Sequence, residues 1–274
     1  MGGANCRSIL ECDFSEWVFL FIAILFAMLF TVPVCLLIGY LVQKFKTYDE
    51  AVHQFNEIVM DKEKNLFFKN EFALRYDDFV GKQNWYGAEI LLGMIFDYLK
   101  TADKILDIGI GTGLSAAGFH ALGLDVYGLD YSNEMLEVCR QKNIATDLKQ
   151  FDLNNTPLPY PTNFFDHISA NGILYFIDKL DNLFAEISRI IKEKGIWAFI
   201  IEENTDPSKS KIIEKPRGKN GLITYKHSQF YILELMKNNG FTLLKKIEFI
   251  AENFQMEGKP VSFVLYVTEA NQKN

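Results

Sequence analysis

After residue 47 the chain alternates between short apolar runs and amphipathic stretches. Apolar runs of strand length that are separated by helical stretches indicate βαβ units and a parallel, doubly wound α/β sheet. Five runs fit strands: KILDIG (104–109), DVYGLD (125–130), ATDLKQFDL (145–153), FFDHISANGIL (164–174) and GIWAFIIEEN (195–204). Helices are predicted between them, at 112–121, 132–142 and 180–192.

The C-terminal part breaks this rhythm. A helix over YILELMKNNG (231–240) is followed by two strand-like runs, TLLKKIEFIAE (242–252) and PVSFVLYVTEA (260–270). A short polar loop separates the two runs, so they should form an antiparallel pair at one edge. The pattern therefore predicts a mostly parallel, seven-stranded sheet with an antiparallel C-terminal pair.

Residues 17–42 form an apolar run that carries no charged side chain. About 20 apolar helical residues cross a bilayer core, so the run predicts one transmembrane helix. A buried core helix rarely stays uncharged on every face, and a cleavable signal peptide has a positive start and a shorter apolar core. Three acids precede the run and two lysines follow it closely, which favours a cytosolic C-terminal domain. These residues are Glu11, Asp13, Glu16, Lys44 and Lys46.

The predicted organisation has four parts: a short segment 1–16, the membrane helix 17–42, a helical connector 43–72 and a globular domain 73–274. The hydrophobic content of 49% is that of a folded chain, and the net charge of −7 argues against nucleic acid as the main partner. The four cysteines have no metal-ligand spacing, so no metal site is expected.

The loop after the first strand carries Gly109, Gly111 and Gly113, with Asp107 before them and Leu114 after them. The dinucleotide fingerprint requires its third glycine one position later, and a Walker loop requires a following Lys-Ser/Thr pair. An acid at the end of the strand is a poor neighbour for a pyrophosphate. It suits a ligand that carries positive charge.

With that loop the sequence resembles the class I S-adenosylmethionine-dependent methyltransferases, whose first motif is acidic-x-G-x-G-x-G. The resemblance implies a Rossmann-like methyltransferase fold with S-adenosylmethionine bound at Asp107 and the three glycines. It also implies that Asp130, at the end of the second strand, accepts hydrogen bonds from the ribose hydroxyls.

The resemblance assigns roles to residues further along the chain. Tyr131 and Met135 would line the adenine, Asp152 would face its amine, and Leu153 or Phe151 would pack on the base. The fourth motif, in FDHISANGILYFID, would place Asn171 and Gly172 beside the reactive methyl.

Within the family the chain looks most like the small methyltransferase-domain proteins of the Williams–Beuren-region group. The segments RYDDFVGKQNWYG and PLPYPTNFFD carry this likeness. It implies that Tyr76, Trp85 and Tyr86 form a flap over the cofactor. The membrane helix departs from that group.

Several residues are candidates for the acceptor side of the site. Asn171 and Tyr175 are the proposed catalytic residues, although an aromatic residue at 175 also suits a pocket wall. Glu202 and Glu203 end the fifth strand and suit either substrate orientation or a solvated turn. His167 is a further candidate, although it better suits a packed core histidine. Tyr225 and His227 are expected near a substrate pocket. The basic loop at 209–221 would face solvent, anionic lipid or an acidic substrate.

The sequence thus predicts a membrane-anchored methyltransferase that acts on a small-molecule or lipid-like acceptor. A catalytically inactive scaffold with the same fold, or a nicotinamide-dependent oxidoreductase, remains an alternative. The Asn/Asp-Pro-Pro-aromatic motif of nucleic-acid amino-methyltransferases is missing at 171, so no nucleic-acid partner is expected. The sequence leaves the oligomeric state undetermined.

Overall fold

The computed structural model describes residues 70–204, 212–217, 222–256 and 259–271. All of them belong to the second of the two units into which the chain divides, Ile58–Asn274. The α-helices are α1 Asn70–Lys82, α2 Gly87–Ile95, α3 Leu114–Ala121, α4 Asn133–Lys142, α5 Asp181–Ile190 and α6 Gln229–Asn238. Short 3-10 turns cover Phe96–Tyr98 and Leu174–Phe176.

The strands are β1 Lys104–Ile108, β2 Asp125–Asp130, β3 Asp147–Gln150, β4 Phe165–Ala170, β5 Ile191–Asn204, β6 Ile212–Arg217, β7 Leu222–Ser228, β8 Phe241–Met256 and β9 Lys259–Ala270. They form one sheet whose main path runs β3-β2-β1-β4-β5-β7-β6, and β9 pairs with both β5 and β8. The first five strands pair in parallel, whereas β9 is antiparallel to both of its neighbours. The predicted doubly wound α/β sheet and its antiparallel C-terminal pair are confirmed.

The predicted number of seven strands is wrong, because the described residues already form a sheet of nine strands. The additional pair is the antiparallel hairpin β6–β7, which joins the end of β5 through Glu203↔His227 and Asn204↔Ser228. Part of the segment 209–221 that the sequence predicts as a basic loop is therefore strand β6. Its run of charges and Pro216 conceals the strand, since both features are depleted in strands.

The core lies on both faces of the sheet because β1 and β5 are buried on both sides. Helix α5 covers one face with Leu183, Phe184, Ile187 and Ile190, an apolar stripe at helical spacing. On the other face, α2 and α3 contribute Leu91, Ile95 and Phe119. The carboxyl ends of β1, β2 and β4 meet at one edge, where ligands bind in open α/β sheets.

No helix within the described ranges is long and apolar enough to cross a membrane. The predicted membrane helix, residues 17–42, and the connector to residue 69 lie outside the described residues.

Candidate active site

The glycine loop, residues 109–113, joins β1 to α3. Gly109, Gly111 and Gly113 all have positive φ angles, of 70°, 55° and 89°. Side chains other than glycine rarely adopt this left-handed region. The loop conformation therefore depends on glycine at all three positions.

The three glycines differ in their surroundings. A Cβ at Gly109 would lie 2.6 Å from Ile173 Cγ1, and one at Gly113 would lie 2.7 Å from Ile144 Cδ1. A Cβ at Gly111 would meet only the Gly109 carbonyl oxygen, 4.0 Å away. Gly111 is thus the loop position at which the backbone can be approached closely.

Asp130 ends β2 and faces this loop. Its carboxylate accepts hydrogen bonds from the backbone N–H groups of Gly111 and Ser132, both at 2.8 Å. Burial raises the pKa of the carboxyl, while the backbone donors of Ser132, Gly111 and Tyr131 oppose that rise. The carboxylate is thus held against the glycine loop by two backbone donors, and its contact with the ribose stays a prediction.

Asp107 is the last residue but one of β1 and is 2% exposed. Ser169 on the neighbouring strand β4 donates a 2.7 Å hydrogen bond to its carboxylate. Burial, reinforced by the charge of Asp130 and opposed by the Ser169 bond, raises the pKa of Asp107 to about 7. Asp107 therefore titrates near neutrality in the folded protein.

Asn171 immediately follows β4 and lies beside the start of α3. Its Nδ2 donates to Ser115 Oγ at 3.0 Å. Its Oδ1 is buried and has no hydrogen-bond partner among the described residues. Buried side-chain oxygens rarely stay unpaired, so this atom marks a place where a ligand donor would be accommodated.

The residues predicted to line the adenine surround the end of β2 and the segment after β3. Met135 is buried and donates its N–H to Ser132 Oγ, whereas the Tyr131 side chain is 50% exposed. Leu153 is partly buried against the core, and Asp152 accepts hydrogen bonds from the backbone and side chain of Asn154. These four residues lie on one side of the loop, and their contact with adenine stays a prediction.

Two tyrosines, Tyr76 and Tyr175, were predicted near the site. Tyr175 is 7% exposed, and its hydroxyl would lie 3.6 Å from a Cβ at Gly172. Tyr76 on α1 has its pKa raised by burial and by the charges of Tyr175, Asp130 and Asp77. The ionised form of Tyr76 is therefore disfavoured by groups of both the fourth motif and the end of β2.

The two other predicted flap residues, Trp85 and Tyr86, differ in their surroundings. Trp85 packs edge-on against Phe263, with a centroid distance of 4.8 Å, and Tyr86 is 58% exposed. Trp85 also adjoins Asn171, since a Cβ at Gly87 would touch both side chains.

Glu202 and Glu203, near the end of β5, do not lie in a solvated turn. The sequence-based alternative of a solvated turn is therefore wrong. Glu202 is fully buried with its Oε1 2.9 Å from Lys226 Nζ, and Glu203 is 7% exposed with its Oε1 3.4 Å from Lys246 Nζ. Adjacent strand residues point to opposite faces, so each acid pairs with a lysine on its own side.

The two candidate histidines, His167 and His227, make contacts within the folded core. His167 is 5% exposed, and its Nε2 lies 2.9 Å from Asp103 Oδ2, in keeping with a packed core histidine. His227 is fully buried with its Nε2 3.3 Å from the Asp178 carbonyl oxygen, and burial lowers its pKa to about 4. His227 is therefore neutral near pH 7.

Four polar residues at the site were missed from the sequence: Asp77, Thr112, Ser115 and Ser169. Thr112 and Ser115 lie in and just after the glycine loop, and Ser169 precedes the fourth motif by two positions. Their proximity to that loop could have identified these three. Asp77 gave no such signal, because it reaches the loop from a helix 35 positions earlier in the chain.

Comparison with known proteins agrees with this geometry. Residues 106–199 match the family model for a methyltransferase domain. The demethylmenaquinone methyltransferase of Bacillus mycoides is 37% identical over 105 residues, which are 35% of this chain and 44% of that protein. The malonyl-[acyl-carrier protein] O-methyltransferase of Buchnera aphidicola is 31% identical over 141 residues, which are 52% of this chain and 55% of that protein.

A solved S-adenosylmethionine-dependent methyltransferase of Clostridium acetobutylicum superposes with a TM-score of 0.54 at 18% identity. The superposition covers 74% of this chain and 99% of that one, and it shows the fold. The chain spans about half the length of the two curated relatives. Residues 106–199 thus match a methyltransferase-domain family model, and the described part of the chain has the fold of solved S-adenosylmethionine-dependent methyltransferases.

Proposed function

We propose that the chain transfers a methyl group from S-adenosylmethionine to a small-molecule or lipid-like acceptor, and that residues 17–42 anchor it in a membrane. The observation that carries the proposal is the contact between Asp130 and Gly111. It places a carboxylate with hydrogen-bond capacity next to the one glycine of the loop 109–113 whose Cβ position is open.

The residues present fit the cofactor. Asp130 would hold the ribose hydroxyls, Gly111 would allow close approach of the backbone, and the unpaired Asn171 Oδ1 would accept a donor. S-adenosylmethionine supplies an electrophilic methyl on a sulfonium, so the protein contributes mainly alignment of the acceptor. Tyr175 lies beside the fourth motif, with its hydroxyl 3.6 Å from the position of a Cβ at Gly172.

The lipid-like acceptor is supported by two separate observations. The relative from Bacillus mycoides is named for demethylmenaquinone, an apolar molecule. The apolar run 17–42 would hold the domain close to a bilayer in which such molecules dissolve. A cytosolic position of the domain follows from the charges that flank this run.

The test is turnover with labelled cofactor. The full chain in detergent micelles, incubated with methyl-labelled S-adenosylmethionine and a membrane-lipid extract, should transfer label to an organic-soluble product. Calorimetry should show that S-adenosylmethionine and S-adenosylhomocysteine bind. Binding of NADH instead of both would overturn the proposal in favour of an oxidoreductase, and cofactor binding without turnover on lipid or metabolite extracts would favour a scaffold.

Asp130→Ala should weaken binding of S-adenosylhomocysteine by about 1–3 kcal/mol, because two ribose hydroxyls lose a charged acceptor. The variant also releases the N–H groups of Gly111 and Ser132, so calorimetry is paired with thermal unfolding. Asp147→Ala is a suitable control, since Asp147 lies on the next strand, β3. The variant removes a half-exposed carboxylate that pairs with Lys149 of the same strand. Wild-type affinity in Asp130→Ala would remove Asp130 from the site.

A further inference from the structure

Helix α1 packs against α4, although the two helices belong to distant parts of the chain. One side chain of α1, Asp77, makes the polar contacts between them. Its Oδ1 accepts a hydrogen bond from Thr112 Oγ1 at 2.5 Å, and its Oδ2 pairs with Lys142 Nζ. A single carboxylate thus connects α1 to the glycine loop and to the last residue of α4.

The contact with Thr112 reaches the centre of the cofactor loop. Thr112 lies between Gly111 and Gly113 and is only 1% exposed. Hydrogen bonds to a charged acceptor are stronger than those between neutral groups. The position of α1 and the conformation of the loop are therefore coupled through Asp77.

The neighbouring residue extends this coupling to the rest of the site. Tyr76 precedes Asp77, and burial together with the charges of Tyr175, Asp130 and Asp77 raises the pKa of its hydroxyl. Its ring is held on α1 by an edge contact with Phe72, at a centroid distance of 5.7 Å. The contacts of Asp77 therefore hold α1 against the loop that follows β1 and against the end of α4.

We propose that Asp77 is a positioning residue that fastens α1 across the glycine loop, and that the cofactor enters and leaves when the contacts of Asp77 with Thr112 and Lys142 open. This inference rests on the proposed function, since it assigns a gate to the same cofactor site. Asp77 touches the loop and not the reacting atoms. Its loss should therefore change cofactor retention rather than the methyl-transfer step.

The test compares Asp77→Asn with Asp78→Asn in the full chain in detergent micelles. Asp78 is an exposed residue of the same helix, so its variant removes the same charge without touching the loop. Asp77→Asn should raise the dissociation rate of S-adenosylhomocysteine about tenfold, because a charge-assisted contact that is partly exposed is lost. Asp78→Asn should keep the wild-type rate.

Lys142→Met separates a latch from a general charge effect. Removal of a positive charge should strengthen binding of cationic S-adenosylmethionine if only the electrostatic field matters. A latch predicts the opposite, with faster dissociation in Lys142→Met as in Asp77→Asn. This second variant also keeps the proposal testable if Asp77→Asn fails to fold.

Hydrogen exchange distinguishes a local release of α1 from a general loss of stability. In Asp77→Asn, amides of 70–82 should exchange faster while those of β1 and β4 keep wild-type protection. A wild-type chain that binds neither cofactor form overturns the proposed function and this inference with it. Wild-type binding with unchanged dissociation in both Asp77→Asn and Lys142→Met overturns the latch alone.

Discussion

Gly111→Ala is expected to weaken cofactor binding about tenfold or more while the protein stays folded. Alanine at a φ of 55° costs about 1–2 kcal/mol, and its methyl group meets no protein atom closer than the Gly109 carbonyl oxygen at 4.0 Å. The methyl group instead projects toward the place where the ligand approaches the backbone. An affinity loss of about tenfold or more, which is about 1.4 kcal/mol or more, is expected in calorimetry with S-adenosylhomocysteine.

Gly113→Ala is the matched comparison, because the same substitution two positions later should act on folding. Its Cβ would lie 2.7 Å from Ile144 Cδ1 and 2.9 Å from Cys139 Sγ, in addition to the cost of a φ of 89°. Overpacking and strain together should lower the free energy of unfolding by about 2–4 kcal/mol. Denaturation followed by circular dichroism measures this loss, and equal effects of the two variants on binding and stability would contradict the assignment.

The second large effect is a pH dependence that arises from Asp107. Its pKa is about 7 in the folded protein against an ordinary value of 3.8, so the folded state binds this proton more tightly than the unfolded state. The contribution of Asp107 to stability is therefore highest below pH 4, falls as the pH rises to about 7, and is level above that. The shift of about 3 pH units corresponds to a loss of up to about 4 kcal/mol.

Asp107→Asn should remove this loss, because asparagine stays neutral and can still accept the Ser169 hydrogen bond. The variant should be more stable than the wild type at pH 8 and similar to it at pH 4, as measured by denaturation at both pH values. Parallel stability curves for the two proteins would show that Asp107 does not titrate near 7.

The same residue should make cofactor binding depend on pH. A cationic sulfonium favours the ionised form of a nearby carboxyl, so S-adenosylmethionine should bind more weakly as the pH falls below about 7. S-adenosylhomocysteine lacks the sulfonium charge and should show a smaller dependence. Equal pH profiles for the two ligands would place Asp107 away from the sulfonium.

The sequence predicted the sheet and the loop because both depend on local signals. Strand β1 and the three glycines are continuous in the chain, and Asp130 follows at the end of the next strand. The parallel order also follows from the alternation of strands with helices. The family match over 106–199 covers this part of the chain.

What the sequence could not predict are contacts between distant positions. Asp77 and Lys142 are 65 positions apart, and no periodicity links them. From the sequence, Glu202 was an equally good turn residue. Its burial depends on Lys226, which lies in a hairpin that the charged sequence conceals. Such pairs are fixed by tertiary packing, which outweighs local propensity.

The hairpin β6–β7 also makes the sheet fork at β5, since β5 continues into β7 and β6 on one branch and into β9 and β8 on the other. A forked sheet has one more edge strand than a linear one: within the described part of the chain β3, β6 and β8 each pair with a single strand. Unpaired edges invite pairing with other chains, and proteins guard them with charges and proline. Strand β8 carries Lys245, Lys246 and Glu248, and the β6 sequence contains Pro216 between Lys215 and Arg217. The charged stretch that hides β6 in the sequence therefore gives this edge strand the charges and proline that proteins use against edge-to-edge aggregation.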